Sequence, residues 1–316
     1  MAPMQRRALL GTALLALAGC QTVPAPAPPA APPAAPAPVP GPLPGPLPAA
    51  PAPLRPPRLG LALGGGAARG FAHIGVIQVL EEAGIRPDLV VGTSAGSLVA
   101  ALYAHGKTGT ELAAMALTMD EAAITDWGFP SRGLIRGEAL ARYVREQTGG
   151  LPIEQMKLPL GIVATDLDSG AGVLFRRGDT GTAVRASSSV PAVFQPVKIG
   201  EREYVDGGLV SPVPVRYARE MGAEMVIGVD ISTPPDGAAT DGTMRLLLQT
   251  FAIMGKSINR YELREADVVL RPALVGVGSA DFTARVRAIR AGRETAQAQL
   301  GEIRRKLQQL ARPAAG

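Results

Sequence analysis

Histidine and cysteine are the scarce residues of this 316-residue chain: His73 and His105 are the two histidines, and Cys20 is the one cysteine. A single cysteine excludes a disulfide within the chain, and with no H-E-x-x-H run or Cys/His cluster no metal or other cofactor is expected. Aromatic residues make up 4% of the chain and are not interleaved with basic ones in a concentrated patch, so nucleic acid is not an expected partner. Acidic residues are missing from the first 57 positions, which hold three arginines; the net charge of +5 therefore falls to +2 (5 − 3) over residues 58–316. The basic balance thus reports the N-terminal segment rather than a polyanion-binding face. The apolar run at the N-terminus, Ala8–Ala18, has eleven residues, too few to span a bilayer.

What that run suits is export. Arg6 and Arg7 precede it, and small residues lead to Cys20. The tail "LAGC" resembles the lipobox of bacterial lipoproteins, which implies a signal peptide over 1–19, cleavage before Cys20 and lipidation of that cysteine. Gln21 rather than aspartate follows it, which in such lipoproteins goes with the outer rather than the inner membrane of the bacterial envelope. An ordinary secretory signal with an incidental cysteine is the alternative. Residues 23–57 hold 17 prolines in 35 positions and no periodic apolar face. Together with Cys20 this makes residues 20–57 a tether, extended at ~3.1 Å per residue, with no core to bury.

The folded part is expected over 58–316. "RLGLALG" reads as a buried strand running into the glycine loop "LGGGAARG", after which Phe71, Ile74, Ile77 and Leu80 fall at helical spacing until Gly84 and Pro87. "DLVVGTS" is a second buried strand and "AGSLVAALYAHG" a second helix. This βαβα order predicts an α/β fold with a mainly parallel central sheet. Further strands are expected at "LPLGIVATDL", "VLFRRG", "EMVIGVDIS" and "ADVVLRP", and a long helix over 281–312.

Ser94 lies in Gly92-Thr-Ser94-Ala-Gly96, a G-x-S-x-G run at a strand-to-helix turn. That is the setting of a nucleophile elbow, which exposes the serine hydroxyl at a helix N-terminus. The glycine loop before it suits an oxyanion; it also suits a phosphate or a plain turn. A dinucleotide fingerprint fits poorly, since Arg69 stands where the last glycine of G-x-G-x-x-G counted from Gly64 belongs. A serine nucleophile needs a base. His105 is eleven residues past Ser94, roughly 16 Å along a helix, and His73 is placed to brace the glycine loop. A carboxylate is the next candidate: Asp206, in "VDGG", ends a strand-like run, although D-G-G also reads as a hairpin turn.

The trio "GGGAARG", "GTSAG" and "DGG", in that order, resembles the bacterial branch of the patatin-like phospholipase family. So do "FAHIGVIQVLEEAGI", "VRASSSVPAVFQPV" and "MGAEMVIGVDIS", over residues 58–232 closely and over the helical part 240–312 loosely. The resemblance implies a three-layer patatin-like fold, helices on both faces of the sheet, and a serine hydrolase that works without histidine. On matching positions it implies Ser94 as nucleophile, Asp206 as proton acceptor with Gly207 and Gly208 behind it, and Gly65, Gly66 and Ala67 as the oxyanion hole. It also implies Arg69 as loop support or head-group contact. Ala67 stands where the family often has a third glycine, which is tolerable if the backbone there avoids positive φ. Phospholipid or lysophospholipid esters are the implied substrates. The membrane is the implied partner, through Cys20 and through the eight basic against two acidic residues of 285–312. A catalytically idle lipid- or protein-binding module on the same fold is the rival expectation.

Overall fold

The structure is a computed structural model and describes residues 54–120, 124–126, 132–232, 241–278 and 280–313. The expected signal peptide, Cys20 and the tether up to residue 53 lie outside the described residues. The folded chain begins earlier than the expected boundary at 58. Leu54–Arg55 (β1) already pairs antiparallel with Arg312–Pro313 (β12), and Arg55 and Arg312 share the Glu224 carboxylate.

The sheet grows outward from Leu59–Leu63 (β2), whose five residues are all buried. Leu59, Leu61 and Leu63 enter one core cluster while Ala62 enters another, as strand alternation requires of a strand covered on both faces. Phe71–Glu82 (α1) returns the chain to Leu89–Thr93 (β3), parallel to β2, and Ala95–His105 (α2) follows. α2 stops at Gly106, whose φ of 112° closes the helix. Gly109–Thr118 (α3) begins on a Thr108–Glu111 capping box.

Two short strands, Gly133–Ile135 (β4) and Ala192–Phe194 (β7), pair with each other beside the main sheet. Between them lie Glu138–Gln147 (α4), Leu160–Asp166 (β5), Gly172–Phe175 (β6) and Thr180–Ser187 (α5). Val197–Ile199 (β8) and Arg202–Asp206 (β9) form a hairpin, then come Val215–Glu220 (α6), Met225–Val229 (β10), Thr243–Glu262 (α7), Val268–Leu270 (β11) and Arg285–Gln309 (α8). The strand order is β11-β10-β2-β3-β5-β9-β8, with β6 also on β5. The five strands from β11 to β5 are parallel; β6, β9 and β8 run antiparallel to their neighbours. The larger core lies under α1, α2 and α8, and the smaller, on the other face, under α6.

α8 buries one face, Ala288, Ile289, Ala291, Gly292, Ala296 and Ile303, and leaves Arg290, Arg304 and Arg305 exposed on the other, so the expected basic C-terminal face is a solvated one in the structure. It packs on α1 so closely that a Cβ at Gly75 would sit 1.9 Å from the Ile289 carbonyl oxygen, and one at Gly292 would sit 1.9 Å from that of Ala72. Three of its arginines are tied to the rest of the protein: Arg285 donates to the carbonyls of Ala116 and Met119, Arg293 pairs with Glu82, and Arg287 pairs with Asp281.

Candidate active site

β5 brings the site together. β3 lies along one edge of β5 as far as Thr93, which faces Val163. β9 takes over at the next residue, running the opposite way, so that its last residue, Asp206, faces Ala164. Two strands thus meet head to head along a third, and the residues at the junction are Ser94 and Asp206. Ser94 Oγ donates to Asp206 Oδ2 at 2.7 Å.

Ser94 is held in a backbone conformation that L-residues avoid, with φ 52° and ψ −125°. Such strain persists only where the surroundings impose it. Here the first turn of α2 is pressed onto β3 and the glycine loop. A Cβ on Gly92 would lie 2.4 Å from the Gly96 carbonyl oxygen, and one on Gly96 would lie 2.1 Å from that of Leu63. The two glycines of the motif therefore permit contact between backbones as well as a tight turn. Ser187 Oγ accepts from the Ser94 amide at 2.8 Å, and Ser97 Oγ donates to the Ser94 carbonyl at 2.6 Å.

Asp206 does not sit in a hairpin turn. β9 ends directly in a short 3-10 turn, Gly207–Leu209, and the Asp206 side chain caps it by accepting from the Gly208 amide at 2.7 Å. Gly207 faces the Val163 carbonyl, which a Cβ would approach to 2.2 Å. Thr165 Oγ1 donates to the Asp206 carbonyl, and the Asp206 amide donates to Ser189. Burial pushes the Asp206 carboxyl up to about 6, with the Ser94 and Gly208 hydrogen bonds pulling the other way. The carboxylate is therefore ionised at neutral pH yet a far better base than an exposed aspartate.

The glycine loop departs from expectation at one of its three proposed donors and in the backbone of another. The Gly65 amide donates to the Pro212 carbonyl at 2.9 Å, so it is not free to meet an oxyanion. Gly65 matters instead for what it lacks: a Cβ there would lie 3.1 Å from the Ser94 Cβ and 3.8 Å from its Oγ. Among the described residues the Gly66 and Ala67 amides take no backbone acceptor. Ala67 adopts φ 49°, so the expectation that this backbone avoids positive φ is overturned. The chain accepts an alanine in the left-handed region at a cost of roughly 1–2 kcal/mol.

Both histidines stand apart from the Ser94–Asp206 contact. His73 is buried, burial lowers its imidazole to about 4, and the neutral ring donates Nε2–H to the Gly64 carbonyl at 2.8 Å, fastening the glycine loop to α1. His105 lies at the far end of α2. Arg69 is buried and donates Nε to the Val277 carbonyl, tying the loop to the segment before α8. Ser187, Ser189 and Thr165, which hold the two central residues from behind, escaped the sequence reading as individuals. The run "VRASSSVP" that contains two of them was their only signal.

Beside Ala95 a small apolar cavity of about 70 Å³ opens between α1, α2 and α3, bounded by Ala67, Leu98, Met115, Tyr143 and Phe282. On the other side, α7 rests its C-terminal half on the loop after Asp206: Gly255 approaches Pro212, and Ser211 Oγ donates to the buried Glu262 carboxylate. The rest of α7 is poorly covered, with Leu246, Ile253, Met254 and Tyr261 exposed among Arg245, Lys256 and Arg260. No helix among the described residues is long and apolar enough to cross a membrane.

Comparison with known proteins agrees with this architecture. An uncharacterized NTE family protein of Mycobacterium tuberculosis is 38% identical over 200 residues, 61% of this chain and 55% of that protein. Patatin-like phospholipase domain-containing protein 6 of Mus musculus is 35% identical over 184 residues, 55% of this chain and 14% of that protein. The chain thus spans about half the length of the first of these relatives and a small part of the second. The crystal structure of VipD from Legionella pneumophila shares the fold at a TM-score of 0.55 and 14% identity, covering 78% of this chain and 67% of that one. Residues 61–219 match the family model described as patatin-like phospholipase, and the chain belongs to that family.

Proposed function

We propose that the protein is a serine acyl hydrolase that cleaves carboxylic esters of phospholipids or lysophospholipids, with Ser94 as nucleophile and Asp206 as base. The single observation that carries this reading is the 2.7 Å hydrogen bond from Ser94 Oγ to a buried carboxylate whose pKa is raised to about 6. Ser94 Oγ attacks the ester carbonyl and its proton passes to Asp206 Oδ2. The negative charge that develops on the carbonyl oxygen is met by the Gly66 and Ala67 amides and by the N-terminus of α2. Collapse of this intermediate breaks the ester bond, and Asp206 returns the proton to the departing alkoxide. Water then gives a proton to Asp206 as it attacks the acyl-enzyme, and that proton goes back to Ser94 as the fatty acid leaves. The apolar cavity next to Ala95 has the lining, Leu98, Met115 and Phe282, to take the first few methylenes of an acyl chain.

Membrane contact is part of the same reading, and the exposed apolar and basic side chains of α7 support it. A helix that leaves apolar side chains in water among basic ones, beside the mouth of the site, has the chemistry of an interfacial helix on anionic lipid. The sequence of the N-terminus supports a lipid anchor at Cys20 in the bacterial outer membrane; failure of a fatty-acid label to depend on Cys20 overturns it.

The deciding experiment is product analysis on defined phospholipids together with labelling by a fluorophosphonate probe. Wild-type protein is expected to release fatty acid and to be labelled, and Ser94→Ala to do neither. Labelling that persists in Ser94→Ala, or full hydrolysis by Asp206→Asn, sinks the assignment.

A further inference from the structure

A cavity of about 510 Å³ is lined neither by Ser94 nor by Asp206. It opens between α7 and the carboxyl ends of β10 and β11, the side of an α/β sheet on which ligands are generally held. Seven polar side chains line it: Arg69, Asp230, Ser232, Lys256, Asn259, Arg260 and Arg271. Four are basic and one is acidic, and the acidic one is already compensated, since Asp230 accepts from Ser232 Oγ and pairs with Arg271 at 3.3 Å.

Lys256 and Arg260 are four residues apart and so lie on one face of α7. Both are exposed, and among the described residues neither makes an ion pair. Asn259 stands between them and is 95% buried, at 5% relative exposure, yet its Oδ1 has no hydrogen-bond partner; its other amide atom makes one long contact, 3.5 Å, with Ser232 Oγ. A buried amide atom with no partner costs about 1–3 kcal/mol. The carboxamide can be turned end for end at no steric cost, which presents its NH₂ to the cavity as a donor. A lysine ammonium, an arginine fork and an amide would then converge on one space, a set that matches the oxygens of a phosphate.

We propose that this cavity is a phosphate-binding site, separate from the Ser94–Asp206 contact, in which Lys256, Asn259 and Arg260 hold a phosphomonoester or phosphodiester. The site goes beyond the hydrolase reading and does not depend on it. It adjoins the Ser94–Asp206 contact through the glycine loop, since Arg69 forms part of its wall and Ile231, which also lines it, occupies the space that a Cβ on Gly66 would need.

The test is calorimetric titration of the full chain carrying Ser94→Ala, so that no turnover intervenes, with inorganic phosphate, sn-glycerol 3-phosphate and glycerophosphoglycerol as probes at low ionic strength. Saturable binding of at least one probe is expected. Lys256→Gln/Arg260→Gln should weaken it about tenfold or more, and Asn259→Leu should weaken it while the thermal midpoint without phosphate shows that the variant is folded. Arg290→Gln/Arg304→Gln removes the same charge from the exposed face of α8 and should bind as the parent does. No saturable binding overturns the proposal, as does equal loss in the two double variants, which would report net charge alone. A preference for glycerophosphoglycerol over inorganic phosphate identifies a lipid head group as the source of the phosphate, and the reverse preference a free phosphate; both keep the site. Because binding is read without turnover, loss of the hydrolase reading leaves this result standing, and loss of this site leaves ester cleavage by Ser94 untouched.

Discussion

Ser94 and Asp206 are 112 residues apart in the chain and share a 2.7 Å hydrogen bond because both follow from the register of β5. Thr93 faces Val163 and Asp206 faces Ala164, so successive residues of one strand set the positions of the proposed nucleophile and base. A strand is a stiff ruler, and side chains placed by it are more closely fixed than side chains on loops.

That relationship has a pH signature. Proton transfer to Asp206 requires its ionised form, and burial raises the carboxyl to about 6. In the wild-type protein kcat/KM for a neutral ester should therefore rise with pH through an acid limb centred near 6 and level off above it. A limb centred near 4 would place the base in water and remove Asp206 from the role.

The same shift opposes stability. The Asp206 carboxyl holds its proton more tightly folded than unfolded, so its contribution is fully present below about 4 and is lost as pH rises through about 6. The difference between 3.8 and about 6 corresponds to ~3 kcal/mol, an order-of-magnitude figure. Asp206→Asn should then be more stable than wild type at pH 8, by something on the order of 1–3 kcal/mol, and no more stable at pH 4. Denaturant melts at the two pH values check this, and the variant should be inactive at both.

Ala67 offers a stability test with the opposite bearing on design. Its φ of 49° favours glycine, so Ala67→Gly should stabilise the fold by about 1 kcal/mol or less, the strain relief being offset by the extra freedom of glycine in the unfolded chain. Activity should be kept, because the amide remains. Ala67→Val, which adds a branched side chain at positive φ, should cost both stability and turnover, measured by thermal melting and ester hydrolysis.

α7 should carry the interaction with lipid surfaces. With Cys20→Ser to remove the expected anchor, binding to vesicles containing phosphatidylglycerol should persist and weaken as salt is raised. Ile253→Asp/Met254→Asp should reduce it by about tenfold or more while hydrolysis of a soluble short-chain ester continues, since both side chains are exposed and neither touches the dyad. Binding that is unchanged in that variant, measured by vesicle sedimentation, removes α7 from the interface.

Much of the site was legible in the sequence where the chemistry is local. The G-x-S-x-G elbow, the glycine loop and the helical spacing of Phe71, Ile74, Ile77 and Leu80 all lie within a few residues, and all four of those side chains are buried as their spacing implies. Gly65 and Ala67 show where such reading stops. Whether an amide is free depends on a carbonyl that arrives from Pro212, and whether a residue takes positive φ depends on what presses on it; neither partner is nearby in sequence.

Order of elements and strand and helix type are properties of the sequence itself, because turn chemistry and hydrophobic period act over a few residues; Ser94 and Asp206 are singled out by motif and by family resemblance. The tertiary structure decided that β9 runs antiparallel into the end of β3, that α8 packs one face closely on α1 while α7 leaves apolar side chains exposed, and that among the described residues Gly66 and Ala67 rather than Gly65 keep amides without a backbone acceptor. Each of these rests on contacts between segments distant in the chain, such as Ser94 with Asp206 and Gly65 with Pro212, which no local pattern encodes.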